Sequence, residues 1–450
     1  MIIGLLRPTA FALALGFAAQ FLPPSAARAT EAPPDGFAAA YLAGHIAERR
    51  GDVNVAVAQL EAALKLAPET PTLRRRVLRL ELAEGDFDAA IATADALAAE
   101  GDDNFPVGMT LLAARFRSGD FAGAQALAAD PQANGIATVV ALLGKAWAMA
   151  GAGEVDAGAK ALTDAARDMP GLKVLLTLHA GLLAEQAGRL ELARWMYEEA
   201  IAASKADERP ASGRLIQIVA GFFERHELPE QAAEARAIEG ADAEAPADTA
   251  AIGAVVASPA DGFAEALFNF AGSLYGDRQY LQALIYARLS VALRPDSPAT
   301  RFTIGQVLAA SGRPAAAAAA YRATPRLGSY AWRAPIRVAD SLADAGQIDA
   351  AIEAMRGVMA ATPVSPEPAI ALGHMLRGAS KFPEAVVAYD EAIRRKGGLT
   401  DADGWLRYAR GVALERSGDW TQAEPEFLKA LETLGEEPLV LNYLGYTWID

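Results

Sequence analysis

The sequence predicts an all-α protein, a right-handed α-solenoid of tandem helix-turn-helix units in two arrays. Three observations predict it. The chain is 52% apolar but only 7% aromatic, and its apolar content is mostly alanine and leucine. Those residues lead the helix ranking, whereas strands draw on β-branched and aromatic side chains. Glycine-bearing turns recur every 34 residues over most of the chain. Prolines then punctuate the ends of units, as at Pro68, Pro170, Pro295 and Pro363, where a ring without an N–H stops a helix.

Residues 1–29 read as a secretory signal peptide. Arg7 precedes an apolar run from Thr9 to Leu22, Pro23 and Pro24 break it, and Ala27-Arg28-Ala29 supplies the small-x-small cleavage pattern. The run is shorter than the roughly 20 residues a helix needs to span a bilayer. An uncleaved anchor helix is the alternative, and either way the bulk of the chain is expected to leave the cytoplasm. Removing this segment removes Arg7 and Arg28 and no acid, taking the net charge from −15 to −17. So acidic a chain lacks the basic footprint of general nucleic-acid binding. It has no cysteine. That excludes a disulfide framework, a zinc-thiolate site, thioether-attached haem, a thiol nucleophile and a lipoprotein anchor.

The first array, 30–239, is set by AGHIAERRGDVNVAVAQLEAALKLAP at 43–68. Small Gly44 is followed by a Gly51-Asp52 turn, then Ala56, Leu60, Ala63 and closing Pro68. The turn returns as EGDFDAA (84–90), SGDFAGA (118–124), GEVDAG (153–158) and AGRLELA (187–193). Units start at 37, 71, 105, 139, 174 and about 213. This pattern resembles the tetratricopeptide repeat, a 34-residue helix-turn-helix unit with small residues at positions 8, 20 and 27, a bulky one at 24 and proline at 32. The small residues let helices A and B of one unit approach, and the bulky residue fills the remaining space. No unit buries its apolar face alone, so stacking supplies the stability. The third and sixth units depart from the pattern, with Pro131 at a small position and Pro229 in the turn.

Residues 240–262, GADAEAPADTAAIGAVVASPADG, are rich in Ala, Pro, Gly and Asp and read as a linker. The second array, 263–450, starts units at 264, 298, 332, 366, about 404 and 438. Position 8 holds Ala271, Gly305, Ala339, Gly373, Gly411 and Gly445, and position 24 holds Ala287, Tyr321, Met355, Tyr389 and Phe427. The last unit, LNYLGYTWID, is a helix A without its B helix. Natural arrays end on a polar cap, so further repeats are expected beyond Asp450.

No catalytic motif, cofactor fingerprint or metal-ligand spacing is present, and no cofactor is expected. Gly144-Lys145 lacks the rest of a phosphate-binding loop, and His226-Glu227 lacks the second histidine of a zinc site. His45, His179, His226 and His374 fall in four different units; His45 and His374 hold position 9 and read as polar groove residues. Ser297 to Ala339 contains no acid but six arginines, Arg301, Arg313, Arg322, Arg326, Arg333 and Arg337.

The resemblance places positions 2, 5, 6, 9 and 12 of helix A in a concave groove. Arg333 and Arg337 hold positions 2 and 6 there, one turn apart, and arginine suits two-point contact with carboxylates. A carboxylate clamp of the family's kind is at best half present, since Phe268 and Gly272 stand where its Lys and Asn would be. Arg75, Arg76 and Arg79 form a second basic cluster, which Glu81 and Glu84 are expected to neutralise in part. Phe268 and Tyr275 add aromatic anchors. Tyr41 and Tyr446 hold groove positions too.

The expected function is a non-enzymatic scaffold that binds proteins or peptide segments. The C-terminal stretch GDWTQAEPEFLKALETLGEEPLVLNYLGYTWID is similar to long periplasmic tetratricopeptide proteins of Gram-negative bacteria. That resemblance implies the periplasm, a role in envelope assembly or maintenance, and peripheral association with an outer-membrane complex. Two alternatives are an accessory factor of exopolysaccharide secretion and the scaffold part of a longer protein with a catalytic domain beyond residue 450.

Overall fold

Turn chemistry decides where the helices begin. Asp52, Asp86, Asp120 and Asp419 each stand just before a helix and accept its third backbone N–H. The glycines ahead of two of these caps, Gly85 and Gly119, take φ of +87° and +77° and close the preceding helix. The structure, a computed structural model, describes residues 36–102, 104–129, 136–206, 213–237, 256–435 and 437–447. The expected signal peptide, Pro131, Trp448 and most of the expected linker lie outside these residues.

The first array comprises α1 (Phe37–Arg49), α2 (Val53–Leu66), α3 (Pro71–Glu84), α4 (Phe87–Ala99), α5 (Phe105–Ser118), α6 (Phe121–Ala128), α7 (Ile136–Gly151), α8 (Val155–Asp168), α9 (Lys173–Gln186), α10 (Leu190–Ala206), α11 (Gly213–Arg225) and α12 (Pro229–Arg236). The second comprises α13 (Pro259–Gly276), α14 (Tyr280–Leu293), α15 (Pro298–Ala310), α16 (Pro314–Arg322), α17 (Tyr330–Asp344), α18 (Ile348–Ala361), α19 (Glu367–Gly378), α20 (Phe382–Lys396), α21 (Gly404–Arg416), α22 (Trp420–Leu434) and α23 (Pro438–Thr447). Among the described residues there is no strand. Odd-numbered A helices pair with the B helix that follows, and the B helices from α2 to α8 and from α14 to α22 pack on the next A helix. The predicted α-solenoid is what the chain forms.

The small–large rule holds in atomic detail. A β-carbon added at Gly305 would lie 2.5 Å from the ring of Tyr321, and one at Gly181 would lie 2.6 Å from that of Tyr197. At Gly411 the distance to Phe427 would be 2.9 Å. Tyr197 and Phe427 are completely buried. Helix A thus rests directly on the ring that helix B sends towards it.

Two helices depart from the expected register, each with a local cause. Helix α13 begins at Pro259, so residues 259–262 of the expected linker are its first turn, capped by Ser258, whose hydroxyl accepts from Asp261 N. Helix α16 has nine residues where α14 and α18 have fourteen, because Pro325 arrives before the unit's proper end.

The arrays do not stand apart. Helix α13 packs on α5, α7 and α9, and α14 packs on α3 and α5. One buried core therefore runs without interruption from Leu78 to Ala351.

Candidate functional site

The helices that receive α13 and α14 are all A helices, so the groove-lining face of the first array is filled from within. Phe263 stacks on Phe116 with ring centroids 4.5 Å apart. A β-carbon at Gly144 would lie 2.9 Å from Leu112 and 3.2 Å from Phe263, and one at Gly262 would overlap the Trp147 indole. Two glycines thus permit the close crossing. At the other end Arg288 Nε donates to the Ala83 carbonyl at 3.3 Å, and Arg313 pairs with Glu84 at 2.8 Å.

A polar cluster closes this contact. Arg214 of α11 grips Glu265 of α13 at two points, 2.7 and 2.6 Å, and donates to Gln217 at 2.8 Å. Arg294 stands 3.5 Å from the same carboxylate. Burial alone would push the Glu265 carboxyl up. The Arg214 charge and hydrogen bonds, helped by Arg294, outweigh it and hold the group below the usual carboxylate range. Alongside, Trp147 Nε1 donates to His179 Nδ1 at 3.2 Å, and the other ring nitrogen lies 3.2 Å from the Asn269 amide. An indole only donates, so His179 is neutral here. Burial drives its pKa down to about 4 against the opposing pull of Glu265.

This arrangement engages most of the residues that sequence singled out in or against the first array. Phe268 lies under Arg214, whose guanidinium carbon is 5.5 Å from the ring centroid. Arg76 pairs with Glu48 through Nε at 2.7 Å, contacts His45 Nδ1 at 2.6 Å and covers the Tyr41 ring at 5.6 Å. Arg75 pairs with Asp102. The acids that neutralise this cluster are therefore Glu48 of the preceding unit and Asp102 at the end of the same unit, not Glu81 and Glu84 as expected. Glu84 is taken by Arg313, and Glu81 is buried with Thr93 donating to it at 3.0 Å. Arg79 borders a cavity of about 230 Å³ between α3, α5 and α14, opposite Leu281, Ile285 and Leu289.

Among the described residues α13 and α14 are the second-array helices that pack broadly on first-array helices, and Tyr330 of α17 acts on the Arg214 charge in α11. Arg333 stacks on Phe302 at 5.0 Å and on Tyr330 at 5.9 Å, which fixes the plane of its guanidinium. Arg337 makes a long 3.4 Å pair with Asp340 on its own helix. Burial raises the pKa of the Tyr321 hydroxyl, and Arg337, Tyr275, Asp340 and Arg333 all act on it. Tyr275, Arg333 and Arg337 thus lie within electrostatic reach of one tyrosine hydroxyl. A unit further on, His374 Nδ1 lies 2.8 Å from the Tyr389 hydroxyl, a group on which Arg377 also acts. Sequence reasoning had not assigned Phe302, Tyr321 or Asp340 to the site. Positions 5 and 9 of their units carried the signal for Phe302 and Asp340; Tyr321, at position 24, reads as core and is buried in the structure. Among the described residues no group of three His, Asp or Glu side chains is placed to hold a metal ion, and no helix is long and apolar enough to cross a membrane.

Stacked helix pairs of this kind define an α-solenoid. The model of the tetratricopeptide repeat matches residues 41–105, 302–366 and 370–438, so the units in those three stretches are of that kind. No curated protein matches the chain in sequence. Among solved structures, YrrB, described as a TPR protein with an unusual peptide-binding site, is 15% identical over 40% of this chain and 90% of its own, at a TM-score of 0.32. PilW, described as a type IV pilus biogenesis factor, is 16% identical over 52% of this chain and 98% of its own, at 0.36. The APC/C hetero-tetramer Cut9-Hcn1 is 12% identical over 92% of this chain and 90% of that one, at 0.33.

Proposed function

We propose that this chain is a non-enzymatic scaffold that captures a segment of a partner protein on the A-helix face of its second array. One observation carries the reading. The matching face of the first array is occupied by α13 and α14, whereas on the second Arg333 stacks on Phe302 and Tyr330 and lies with Arg337 and Tyr275 within electrostatic reach of Tyr321. A guanidinium stacked on aromatic rings is pre-organised for a carboxylate, and less entropy is lost on binding than with a mobile lysine. The favoured segment is acidic or ends in a free carboxylate. The sequence of residues 1–29 supports export, so we place the scaffold in the periplasm, in envelope assembly or maintenance and in peripheral contact with an outer-membrane complex.

The test is Arg333→Glu with Arg337→Glu. The double variant should lose crosslinked partners recovered from the native envelope while keeping its helical circular dichroism. Undiminished recovery would sink the reading. Fractionation of cells expressing the chain with and without residues 2–29 tests the location separately.

A further inference from the structure

The shortened helix α16 leaves a cavity of about 420 Å³ between α16, α17 and α18. Its walls include Ala334, Val338, Ala354 and Gly357, and its mouth carries Arg322 and Arg326. Both arginines are exposed, and among the described residues neither has an ion-pair partner. They lie in the stretch from Ser297 to Ala339 that contains no acid. The cavity shares Tyr321 with the groove but opens on another side of α17. Ala334 and Val338 each follow a groove arginine, Arg333 and Arg337, by one residue, which turns them about 100° around the helix.

We propose that this cavity is a second docking site, for an acidic segment of a partner protein that carries a bulky apolar side chain among its carboxylates. The apolar side chain enters the cavity, and the carboxylates meet Arg322 and Arg326. Charge complementarity fixes the sign of the occupant. The floor of alanine, valine and glycine fixes the rest: hydrocarbon gains by leaving water there, and the threonines that also line it, Thr324 and Thr362, already donate their hydroxyls to the Ala320 and Val358 carbonyls. The space exists because Pro325 ends α16 early, so the turn that would cover α17 and α18 is missing. Gly357 marks its openness, since a β-carbon built there meets nothing within 4 Å.

Fluorescence anisotropy on the full chain tests this, with a labelled ten-residue peptide of alternating glutamate and phenylalanine as probe. Gly357→Leu, which fills the cavity, and Arg322→Glu with Arg326→Glu should each weaken binding at least tenfold, with helical circular dichroism retained. Arg333→Glu with Arg337→Glu should leave this affinity unchanged, which separates the site from the groove. A glutamate–serine peptide should bind at least tenfold more weakly. The proposal is overturned if the probe does not bind the full chain, if it binds both cavity variants undiminished, if only the groove variant loses it, or if the serine peptide binds equally. Displacement of the probe by alginate, a uronate polymer, would overturn the protein nature of the occupant.

Discussion

Arg214 and Glu265 form a two-point ion pair across the contact between the arrays, and the Glu265 side chain is only 2% exposed. Removing one partner leaves a charge in a site that water barely reaches. Glu265→Gln should therefore destabilise the chain by about 3–5 kcal/mol, read as a lower urea midpoint. Replacing both residues with leucine should recover most of that loss, because two apolar side chains avoid the desolvation cost altogether. A double variant no better than the single one would contradict this.

His179 predicts how acid affects the same contact. Its imidazole titrates near 6.5 when unfolded and about 4 when folded. Between those values the unfolded chain binds more protons, so stability rises with pH. The contribution is complete above pH 6.5 and is lost as pH falls towards 4, by about 3 kcal/mol. Urea midpoints measured from pH 7.5 to 4.5 should show this slope. His179→Gln, which keeps an acceptor for Trp147, should flatten it.

Glu81 acts in the opposite direction. Burial raises its carboxyl to about 7, opposed by the Thr93 hydrogen bond and reinforced by Glu61 and Asp86. Between 4.5 and 7 the folded chain binds more protons, so stability falls as pH rises through that window. Glu81→Gln should raise stability at pH 8 by about 1–2 kcal/mol and change little at pH 4.5. An equal gain at both values would show that the effect is not one of charge.

Glycines on A helices divide into two kinds. Gly305→Ala drives a methyl against the buried Tyr321 ring and should cost about 1–3 kcal/mol. At Gly272 of α13 an added β-carbon meets nothing within 4 Å, so Gly272→Ala should stabilise by about 0.5–1 kcal/mol. Thermal melts of the two variants should move in opposite directions.

Much of this was legible in the sequence, for a physical reason. A repeat unit is defined by neighbours within one period, so the glycine–aromatic pairs and the aspartate caps leave a local pattern. Gly305 and Tyr321 are half a unit apart, and Asp86 caps the helix it precedes. The filling of the first groove leaves no such trace. Arg214 meets Glu265 across 51 residues, and Arg313 meets Glu84 across 229. Those contacts depend on how curvature accumulates over many units. The early start of α13 was hidden as well, because Ala, Pro and Gly at 257–262 resemble a linker until Ser258 is seen as a cap. The groove of the second array was half legible: Tyr275, Arg333 and Arg337 sit at lining positions, whereas Tyr321, on which all three act, belongs to the core.

The hairpin α13–α14 changes the kind of object this chain is. An ordinary solenoid is modular: it can nucleate anywhere, lengthen by duplication and lose terminal units one at a time. Here a pair of helices from the middle of the chain serves as a keystone for the half that precedes it. Assembly must wait for contacts distant along the chain, which slows folding and makes it more nearly all-or-none. Two polypeptides split between residues 237 and 256 should accordingly be poor folders alone and reassemble when mixed.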